Sequence, residues 1–342
     1  MTGRAKRVTI RTVAEDAGVS VAAVSKVLRN SYGVSERMRE KVQASMNKLG
    51  YRPHMAARGL RGKTFTIGLL QNDLRNPYLP TIFDGIFKGL EGSGFQPLLG
   101  VGQSTEPLET ALINAMIDRQ MDGLIMVAPR LPGEKIEQFA REVPTCIIAH
   151  HHPDEDAFDT VNFDDNLGAR AAVRHLIEQG CQSIVMLSQA LPEPGVSNVI
   201  QQRELGFMDA MGVVCEQPSE AIVHGFFDAA STDTLIRELL QRPNPPDGLF
   251  CWSDMVATQV FVAAAEIGLR IPEDIAVVGY DNTYDDQLRP FGLSSLNQPG
   301  YQLGVTAAQL LLSRIEGRSE AEHKVFSPEL IVRASSLRSD DT

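Results

Sequence analysis

The segment from Thr9 to Leu28 constrains the fold of this chain more than any other part of the sequence. Its first apolar residues recur at i, i+3, i+4 and i+7, on one face of a helix, and they are Ile10, Val13, Ala14 and Ala17. Thr9 can cap that helix, Gly18 can end it in a left-handed turn, and Ser20 can cap the next helix. Two short helices joined by a three-residue turn that contains glycine form a helix-turn-helix.

A third helix is predicted to follow the first two. Ser35 can cap it, Gly50 can end it, and its apolar face carries Met38, Val42, Met46 and Leu49. Charge also separates this head from the rest of the chain, because residues 1–63 hold 14 Lys and Arg against 4 Asp and Glu, whereas the remainder holds 18 against 39. A basic head on an acidic body indicates that one end meets a polyanion, although a merely solvated basic segment has the same charge.

The head closely resembles that of the lactose/galactose/purine repressor family of bacterial transcriptional regulators. The matching residues are Thr9–Leu28, Val34–Ser35, Arg39–Val42, Leu49–Pro53 and Ala56–Leu60. The resemblance implies a sequence-specific DNA-binding regulator, usually a repressor, whose second helix lies in the major groove of operator DNA. The family's base-reading positions are matched by Val21, Ala22 and Lys26, and its phosphate-contacting positions by Thr9, Ser20, Ser25, Arg29, Ser35 and Tyr51.

The side chains at the base-reading positions limit what the head can recognise. Val21 and Ala22 offer no side-chain hydrogen bonds, so they can discriminate bases only by apolar contact, for instance with a thymine methyl. Lys26 stands where arginine is common in the family, and lysine lacks the fixed fork of arginine. The operator rules of relatives with hydrogen-bonding side chains at these positions are therefore not carried over.

Residues 51–63 resemble the family's hinge, a short helix that orders only on the operator. In relatives two hinge helices, one from each subunit, enter the minor groove together, and Leu60 matches the leucine that wedges into the central base step. His54 and Ala57 belong to the same minor-groove segment, with His54 standing where asparagine is usual. A core role is the alternative for Leu60, but the glycine- and arginine-rich sequence around it favours the wedge.

From Phe65 onward, short apolar runs alternate with amphipathic stretches long enough for helices. This alternation predicts parallel sheets covered by helices on both faces, and the number of strands favours two doubly wound subdomains with a cleft between them. The family resemblance extends over this core and implies the architecture of a periplasmic sugar-binding protein. After a head at 1–50, we expect one subdomain from 64–163 with 294–323 and the other from 164–293 with 324–342.

Polar residues follow several predicted strands at their carboxyl ends, where parallel sheets bind ligands. Taken alone, each is compatible with a turn or a helix cap, as Asp254 is with the helix that follows it. The family resemblance assigns four of them to an effector site between the subdomains, namely Tyr78, Ser253, Asp254 and Asp281, and adds Arg203, which matches the arginine of the family's R-x-x-G-F segment. Ser253 stands where asparagine is common, so we expect one hydrogen-bond pattern to differ. The resemblance implies a sugar, a sugar acid or a related metabolite, and a purine-type effector stays open.

Other functions find less support in the sequence. It contains no catalytic constellation, no complete dinucleotide or phosphate-loop fingerprint and no plausible cysteine spacing for a metal, so we expect neither an enzyme nor a cofactor. The His150–His152 run fits a loop at a strand end better than a metal site, and one of these histidines is a candidate for lining the cleft. A small-molecule binding protein without a regulatory role is the alternative function, and the basic head argues against it.

Assembly and location follow from the DNA-binding hypothesis. One short recognition helix reaches few base pairs, so we expect a homodimer on a pseudo-palindromic operator. The sequence has no leucine-heptad tail near its end, which favours a dimer over a tail-assembled tetramer. No apolar run approaches the roughly 20 residues of a membrane span, and the basic N-terminus lacks the apolar region of a signal peptide. We therefore expect a cytoplasmic protein with no membrane partner.

Overall fold

The structure is a computed structural model, and it describes residues 8–28, 32–51, 62–103, 105–151, 156–189, 199–225, 229–283 and 292–338. The chain divides into two compact units, Met1–Phe65 and Thr66–Thr342. Four residues with predicted DNA contacts lie outside the described residues: Arg29, His54, Ala57 and Leu60.

The first unit contains the three helices that the sequence predicts. They are α1 (Ile10–Ala17), α2 (Val21–Leu28) and α3 (Glu36–Leu49). Each contributes one fully buried valine to a small shared core, namely Val13, Val24 and Val42. The apolar face of each helix thus packs against the other two, which confirms the helix-turn-helix head.

The second unit contains two six-stranded sheets among its described residues. The first has the order β11-β5-β4-β3-β1-β2 and is parallel throughout; its strands are β1 (Thr66–Gln71), β2 (Gln96–Val101), β3 (Gly123–Val127), β4 (Thr145–Ile148), β5 (Asp159–Phe163) and β11 (His323–Phe326). The second has the order β12-β10-β9-β8-β6-β7; its strands are β6 (Ile184–Ser188), β7 (Ile222–His224), β8 (Gly248–Cys251), β9 (Ala276–Asp281), β10 (Ser294–Asn297) and β12 (Glu329–Ile331). Its edge strand β12 is antiparallel, and the other pairs are parallel.

Helices cover both faces of each sheet, as the strand-helix alternation predicts. Those that pack on the first sheet are α4 (Leu79–Leu90), α5 (Glu106–Asp118), α6 (Gly133–Glu142) and α11 (Gly300–Ile315). Those that pack on the second sheet are α7 (Asp165–Glu178), α8 (Val199–Met211), α9 (Ala229–Leu240) and α10 (Asp254–Ile267). Each sheet with its four helices is called here the first or the second half of the core. Two doubly wound parallel halves confirm the predicted fold class.

The expected boundaries between the halves need correction at two strands near the end of the chain. Residues 294–297 were assigned to the first half, but β10 pairs with β9 in the second sheet. Residues 324–326 were assigned to the second half, but β11 pairs with β5 in the first sheet. The cause is a crossover at each place, because the chain completes a strand in one sheet before it enters the other.

Glycines let helices of the first half approach at backbone distance. A Cβ on Gly304 of α11 would lie 2.0 Å from the carbonyl oxygen of Ile82 in α4, and a Cβ on Gly85 would lie 2.0 Å from the carbonyl oxygen of Tyr301. No other side chain fits at either position without moving a helix. Since α4 directly follows the loop after β1 that carries Asn76 and Tyr78, this contact fixes the position of that loop.

Candidate functional site

Side-chain caps fix the geometry of the helix-turn-helix. Thr9 accepts a hydrogen bond from the backbone N–H of Thr12 at 3.4 Å, and Ser20 accepts one from the N–H of Ala23 at 3.1 Å. Gly18 adopts a φ of 62°, in the left-handed region that favours glycine. The start of α2 is therefore determined locally, by the residues that the sequence identified as caps.

The residues predicted to read bases lie on the outer surface of α2. Val21 and Ala22 occupy its first turn, and both are exposed, as is Lys26 one turn later. Exposure of an apolar pair at the start of a helix leaves methyl groups available for contact with a partner. What these side chains bind stays a prediction.

The described positioning residues of the head are all accessible in its own fold. Thr9, Ser20 and Ser35 are exposed, and Ser25 and Tyr51 are partly buried. Ser35 precedes α3 as expected but makes no side-chain cap hydrogen bond. Their predicted phosphate contacts stay predictions.

The cleft between the two halves of the core is organised around Arg203. Its Nε donates to Asp165 Oδ1 at 2.8 Å and its Nη1 donates to the carbonyl oxygen of Trp252 at 2.6 Å. The guanidinium also lies 3.5 Å from the centroid of the Tyr280 ring. Asp165 keeps the pKa of the buried Arg203 raised despite the desolvation that opposes it. The arginine is thus held rigidly, on three sides, at the carboxyl ends of the strands of the second sheet.

Close packing of α8 on α7 brings Arg203 to Asp165. A Cβ on Gly206, one turn after Arg203, would lie 2.2 Å from the carbonyl oxygen of Asn166. Only glycine permits this approach, which gives a physical reason for the R-x-x-G-F pattern of the sequence.

Asp281 is the second charged group of the cleft, and it contacts both halves of the core. Its Oδ2 accepts a hydrogen bond from Asn76 Nδ2 at 3.0 Å, and its Oδ1 accepts one from Gln298 Nε2 at 2.6 Å. Asn76 belongs to the first half, and Gln298 lies in the segment that crosses between β10 and α11. Burial raises the pKa of Asp281 to about 6, against the lowering effect of Arg203 and the two amide donors. Its φ of 106° is in the left-handed region, where aspartate is strained.

Two further polar contacts join the halves. His151, which follows β4, lies 2.9 Å through Nε2 from Asp165 Oδ2, and Arg130 Nη2 donates to Gln189 Oε1 at 3.2 Å. Burial would raise the pKa of Asp165, but Arg203 and His151 hold it below its usual value. Atoms of both halves therefore converge on the same charged cluster, so that a change in the closure of the cleft changes the surroundings of Arg203.

Two other predicted cleft residues, Tyr78 and Ser253, have hydroxyl groups without a hydrogen-bond partner among the described residues. Tyr78 is buried with its ring against Gly300, and its hydroxyl has no hydrogen-bond partner among the described residues. Burial, with Asp281 and Asp165 nearby, raises its pKa well above the usual value. Ser253 is also fully buried, and its hydroxyl is likewise unpartnered within the described part of the chain.

Asp254 is engaged by its own half of the core. Its Oδ1 accepts a hydrogen bond from Ser295 Oγ at 2.6 Å, and its Oδ2 accepts one from the backbone N–H of Thr283 at 2.8 Å. Burial and the charge of Asp281 raise its pKa to about 8. Asp254 thus stabilises the loop after β9, and its predicted contact with an effector stays untested.

Comparisons with known proteins show which family the chain belongs to. Residues 9–54 match the family described as bacterial regulatory proteins, lacI family, and residues 173–336 match the periplasmic binding protein-like domain. The HTH-type transcriptional repressor PurR of Erwinia tasmaniensis is 31% identical over 334 residues, 96% of each chain. The chain belongs to the lacI family. It is therefore a DNA-binding transcriptional regulator under ligand control, and its relatives are repressors rather than enzymes.

Solved structures of the family support the same assignment. The structure described as the transcriptional regulator CelR-cellobiose complex is 28% identical, covers 96% of this chain and all of its own, and superposes with a TM-score of 0.70. The lac repressor bound to ONPG in the repressed state is 26% identical, covers 96% of this chain and all of its own, and has a TM-score of 0.79. Within the described residues, no helix is long and apolar enough to cross a membrane.

Sequence reasoning missed several members of the cleft. Asn76, Asp165, Tyr280 and Gln298 were not proposed as site residues, and His151 was considered only as one of three adjacent histidines, of which one was a candidate for lining the cleft. Asp165 opens a helix and is typical of a cap, so its bond to Arg203 has no local signature. The usable signal was positional, because these residues follow strands at the carboxyl edge.

Glu109 is another buried group that the sequence did not single out. It lies in α5 with no exposed surface, and its Oε2 accepts a hydrogen bond from the backbone N–H of Arg130 at 2.8 Å. Its Oε1 has no partner among the described residues. Burial raises the pKa of Glu109 to about 7, against the lowering effect of Arg130. Glu109 thus anchors the backbone of the residue that bonds across the cleft to Gln189.

Proposed function

We propose that this lacI-family regulator binds a pseudo-palindromic operator as a homodimer in the cytoplasm, and that a small polar effector in the core cleft sets its operator affinity. In this proposal residues 1–50 read the DNA, residues 51–63 form the hinge, and the effector contacts Tyr78, Arg203, Ser253, Asp254 and Asp281. The relatives whose structures carry cellobiose or ONPG support a sugar-like ligand for the same fold.

The observation that carries the proposal is the charged cluster that both halves of the core share. Asn76 and His151 of the first half bond to Asp281 and Asp165 of the second half at 3.0 and 2.9 Å. A ligand that enters this cluster has to rearrange bonds between the halves. It therefore has a different affinity for the open and the closed cleft, which is the thermodynamic requirement for a ligand to shift a conformational equilibrium.

At the DNA, the proposal assigns apolar readout to Val21 and Ala22 and a single donor to Lys26. The exposed first turn of α2 supports this assignment. Thr9, Ser20, Ser25, Arg29, Ser35 and Tyr51 are proposed to contact phosphates and so to set the register rather than the sequence preference. His54, Ala57 and Leu60 are proposed to enter the minor groove, with Leu60 as the wedge at the central step.

For the dimer contact, the proposal uses an exposed apolar surface on the first half of the core. Phe87, Leu98, Leu99 and Tyr301 are all exposed there, although they are large and apolar. An open cavity of about 730 Å³ lies beside them, between the end of α4 and the start of the edge strand β2. Exposed apolar patches with polar rims mark protein interfaces.

The test is selection of binding sites from random duplex DNA by the full-length protein at a stated salt concentration, with and without a pool of metabolites. We expect a pseudo-palindrome with a deformable central step, whose half-sites match two heads in one dimer. A core that only binds small molecules predicts no preferred sequence under either condition. That outcome, at low salt and with the protein folded, would refute the DNA-binding part of the proposal.

A further inference from the structure

One polar contact between the halves of the core involves a residue that a buried titratable group holds in place. Arg130 follows β3 of the first half, Gln189 follows β6 of the second half, and the Arg130 guanidinium donates to Gln189 Oε1 at 3.2 Å. The backbone N–H of Arg130 donates to Glu109 Oε2 at 2.8 Å. The same arginine therefore bonds to Glu109 through its backbone and to the opposite half through its side chain.

Glu109 changes its charge near neutral pH. It has no exposed surface, and burial raises its pKa to about 7, against the lowering effects of the Arg130 N–H and the Arg130 charge. Arg130 stays a cation throughout this range, although burial lowers its pKa. Below about pH 7 Glu109 is therefore mostly neutral, and above it Glu109 is a buried anion close to a cation.

The ionised form of Glu109 lacks a donor for one of its oxygens. Its Oε1 has no hydrogen-bond partner among the described residues. A Cβ on Gly102 would lie 2.3 Å from Glu109 Cγ, so the backbone after β2 packs tightly against this side chain and has no side chain that could donate. A buried carboxylate without a donor is costly, and a guanidinium is its strongest hydrogen-bonding partner. Because packing confines Glu109, the longer side chain of Arg130 is the one that can move.

Two other carboxylates act on this pair, and each already has a cation. They are Glu106, which pairs with Lys135 of α6 at 2.9 Å, and Asp73, which pairs with Arg75 in the loop after β1. Glu106 contributes to the raised pKa of Glu109, and Asp73 opposes the lowered pKa of Arg130. Arg130 is therefore the cation that an ionised Glu109 recruits.

We propose that this contact makes closure of the cleft sensitive to pH, because an ionised Glu109 attracts the Arg130 guanidinium away from Gln189 and protonation of Glu109 restores the bond between the halves. A rise in pH through neutrality then favours the open cleft. The proposal concerns the core and does not depend on which effector or operator the protein binds. Where closure of the cleft sets operator affinity, pH acts as a second input beside the effector.

The experiment measures what the Gln189 side chain contributes to the thermal stability of the full-length protein at pH 6 and pH 8. Gln189→Ala removes the acceptor in the second half. We expect it to lower Tm by about 1–3 °C at pH 6 and by about a third of that or less at pH 8, where the guanidinium has left. Glu109→Gln keeps an oxygen for the Arg130 N–H but cannot ionise. In that background we expect Gln189→Ala to lower Tm about equally at both pH values.

Two controls and a second measurement accompany this comparison. Gln241→Ala, at an exposed position after α9, controls for the loss of a glutamine. His151 pairs with Asp165 across the same junction in every protein compared, so its contribution cancels. Small-angle X-ray scattering reports the closure itself. We expect the radius of gyration of the unaltered protein to be larger at pH 8 than at pH 6, and this change to be smaller in Glu109→Gln.

A loss of Tm on Gln189→Ala that is equal at both pH values in the unaltered background would overturn the inference. A pH-dependent loss that persists in Glu109→Gln would also overturn it, because another group would then be the cause. So would a radius of gyration that changes equally in both proteins or in neither. If Glu109→Gln does not fold, Gln189→Glu takes its place. A carboxylate at position 189 holds the Arg130 guanidinium at both pH values, so the inference requires a smaller change in radius of gyration for this variant.

Discussion

Glu109 makes a quantitative prediction about how the stability of the core depends on pH. The perturbation is Glu109→Gln, which keeps an oxygen to accept the Arg130 N–H and removes the titratable proton. Glu109 has no exposed surface, and burial raises its pKa from the ordinary 4.5 to about 7. The folded state therefore binds a proton in a pH range where the unfolded state has released it.

The sign and size of the effect of Glu109 on the free energy of unfolding follow from the difference between its pKa values in the folded and unfolded states. A carboxyl whose pKa is raised on folding gives stability that is present below pH 4.5 and is lost as the pH rises through about 7. Each pH unit between the two values changes the free energy of unfolding by about 1.4 kcal/mol, so Glu109 alone lowers it by roughly 2–3 kcal/mol between pH 5 and pH 8. Glu109→Gln is expected to remove most of this slope and to be more stable than the unaltered protein at pH 8.

The assay is denaturant or thermal unfolding of both proteins at several pH values from 5 to 8.5. For a domain of this size we expect a difference in Tm of about 2–4 °C per kcal/mol at pH 8. Asp281 and Asp254 also have raised pKa values, of about 6 and about 8, and change stability in the same direction. The contribution of Glu109 is therefore the difference in stability between the unaltered protein and Glu109→Gln at each pH. Glu142→Gln, at an exposed position, controls for loss of a carboxylate. A Glu109→Gln protein that is less stable at pH 8, with an unchanged slope, would refute this reasoning.

Three further predictions test other parts of the account. Leu60→Ala should weaken operator binding at least tenfold and leave effector affinity and Tm nearly unchanged, whereas equal losses in all three would make it a core residue. Arg203→Lys should reduce effector affinity about tenfold or more when binding is followed by Trp252 fluorescence, because lysine cannot donate to both the Asp165 carboxylate and the Trp252 carbonyl in one fixed fork. The selected operator sequence should stay the same. Gly304→Ala should destabilise the core by about 2 kcal/mol in chemical unfolding, because its Cβ would lie 2.0 Å from the carbonyl oxygen of Ile82, and a stable variant would contradict that packing.

The head could be predicted from the sequence because its signals are local. Thr9, Gly18 and Ser20 act within three or four residues of their position, and the structure has each in the predicted role. The central strands of the core were equally visible, since β3 and β4 are short, fully buried apolar runs.

The strands at the crossovers could not be predicted in the same way. Ser294–Asn297 is mostly polar, and β11 is an exposed edge strand, so neither has the apolar run of a central strand. Their sheet membership depends on pairings with β9 and β5, which are distant in sequence. A local pattern carries no information on which sheet a short polar strand will join.

The cleft was predictable in part. Arg203 and Asp281 stand out because their segments match family patterns, and the structure brings them into one cluster. Their partners were not predictable, because Asn76 is 205 residues from Asp281, and the bond depends on how the two halves close. The raised pKa of Glu109 also follows from burial under Gly102 and not from its neighbours in sequence.

The most direct test of ligand control is a reciprocal binding measurement with the selected operator and an effector. The effector is identified by the change it causes in the fluorescence of Trp252, the only tryptophan in the sequence. Operator affinity is measured with and without saturating effector, and effector affinity with and without saturating operator. Linkage predicts that both affinities change by the same factor, typically about 5- to 150-fold. An effector that binds the core but leaves operator affinity unchanged would contradict the central claim that the cleft controls the DNA-binding head.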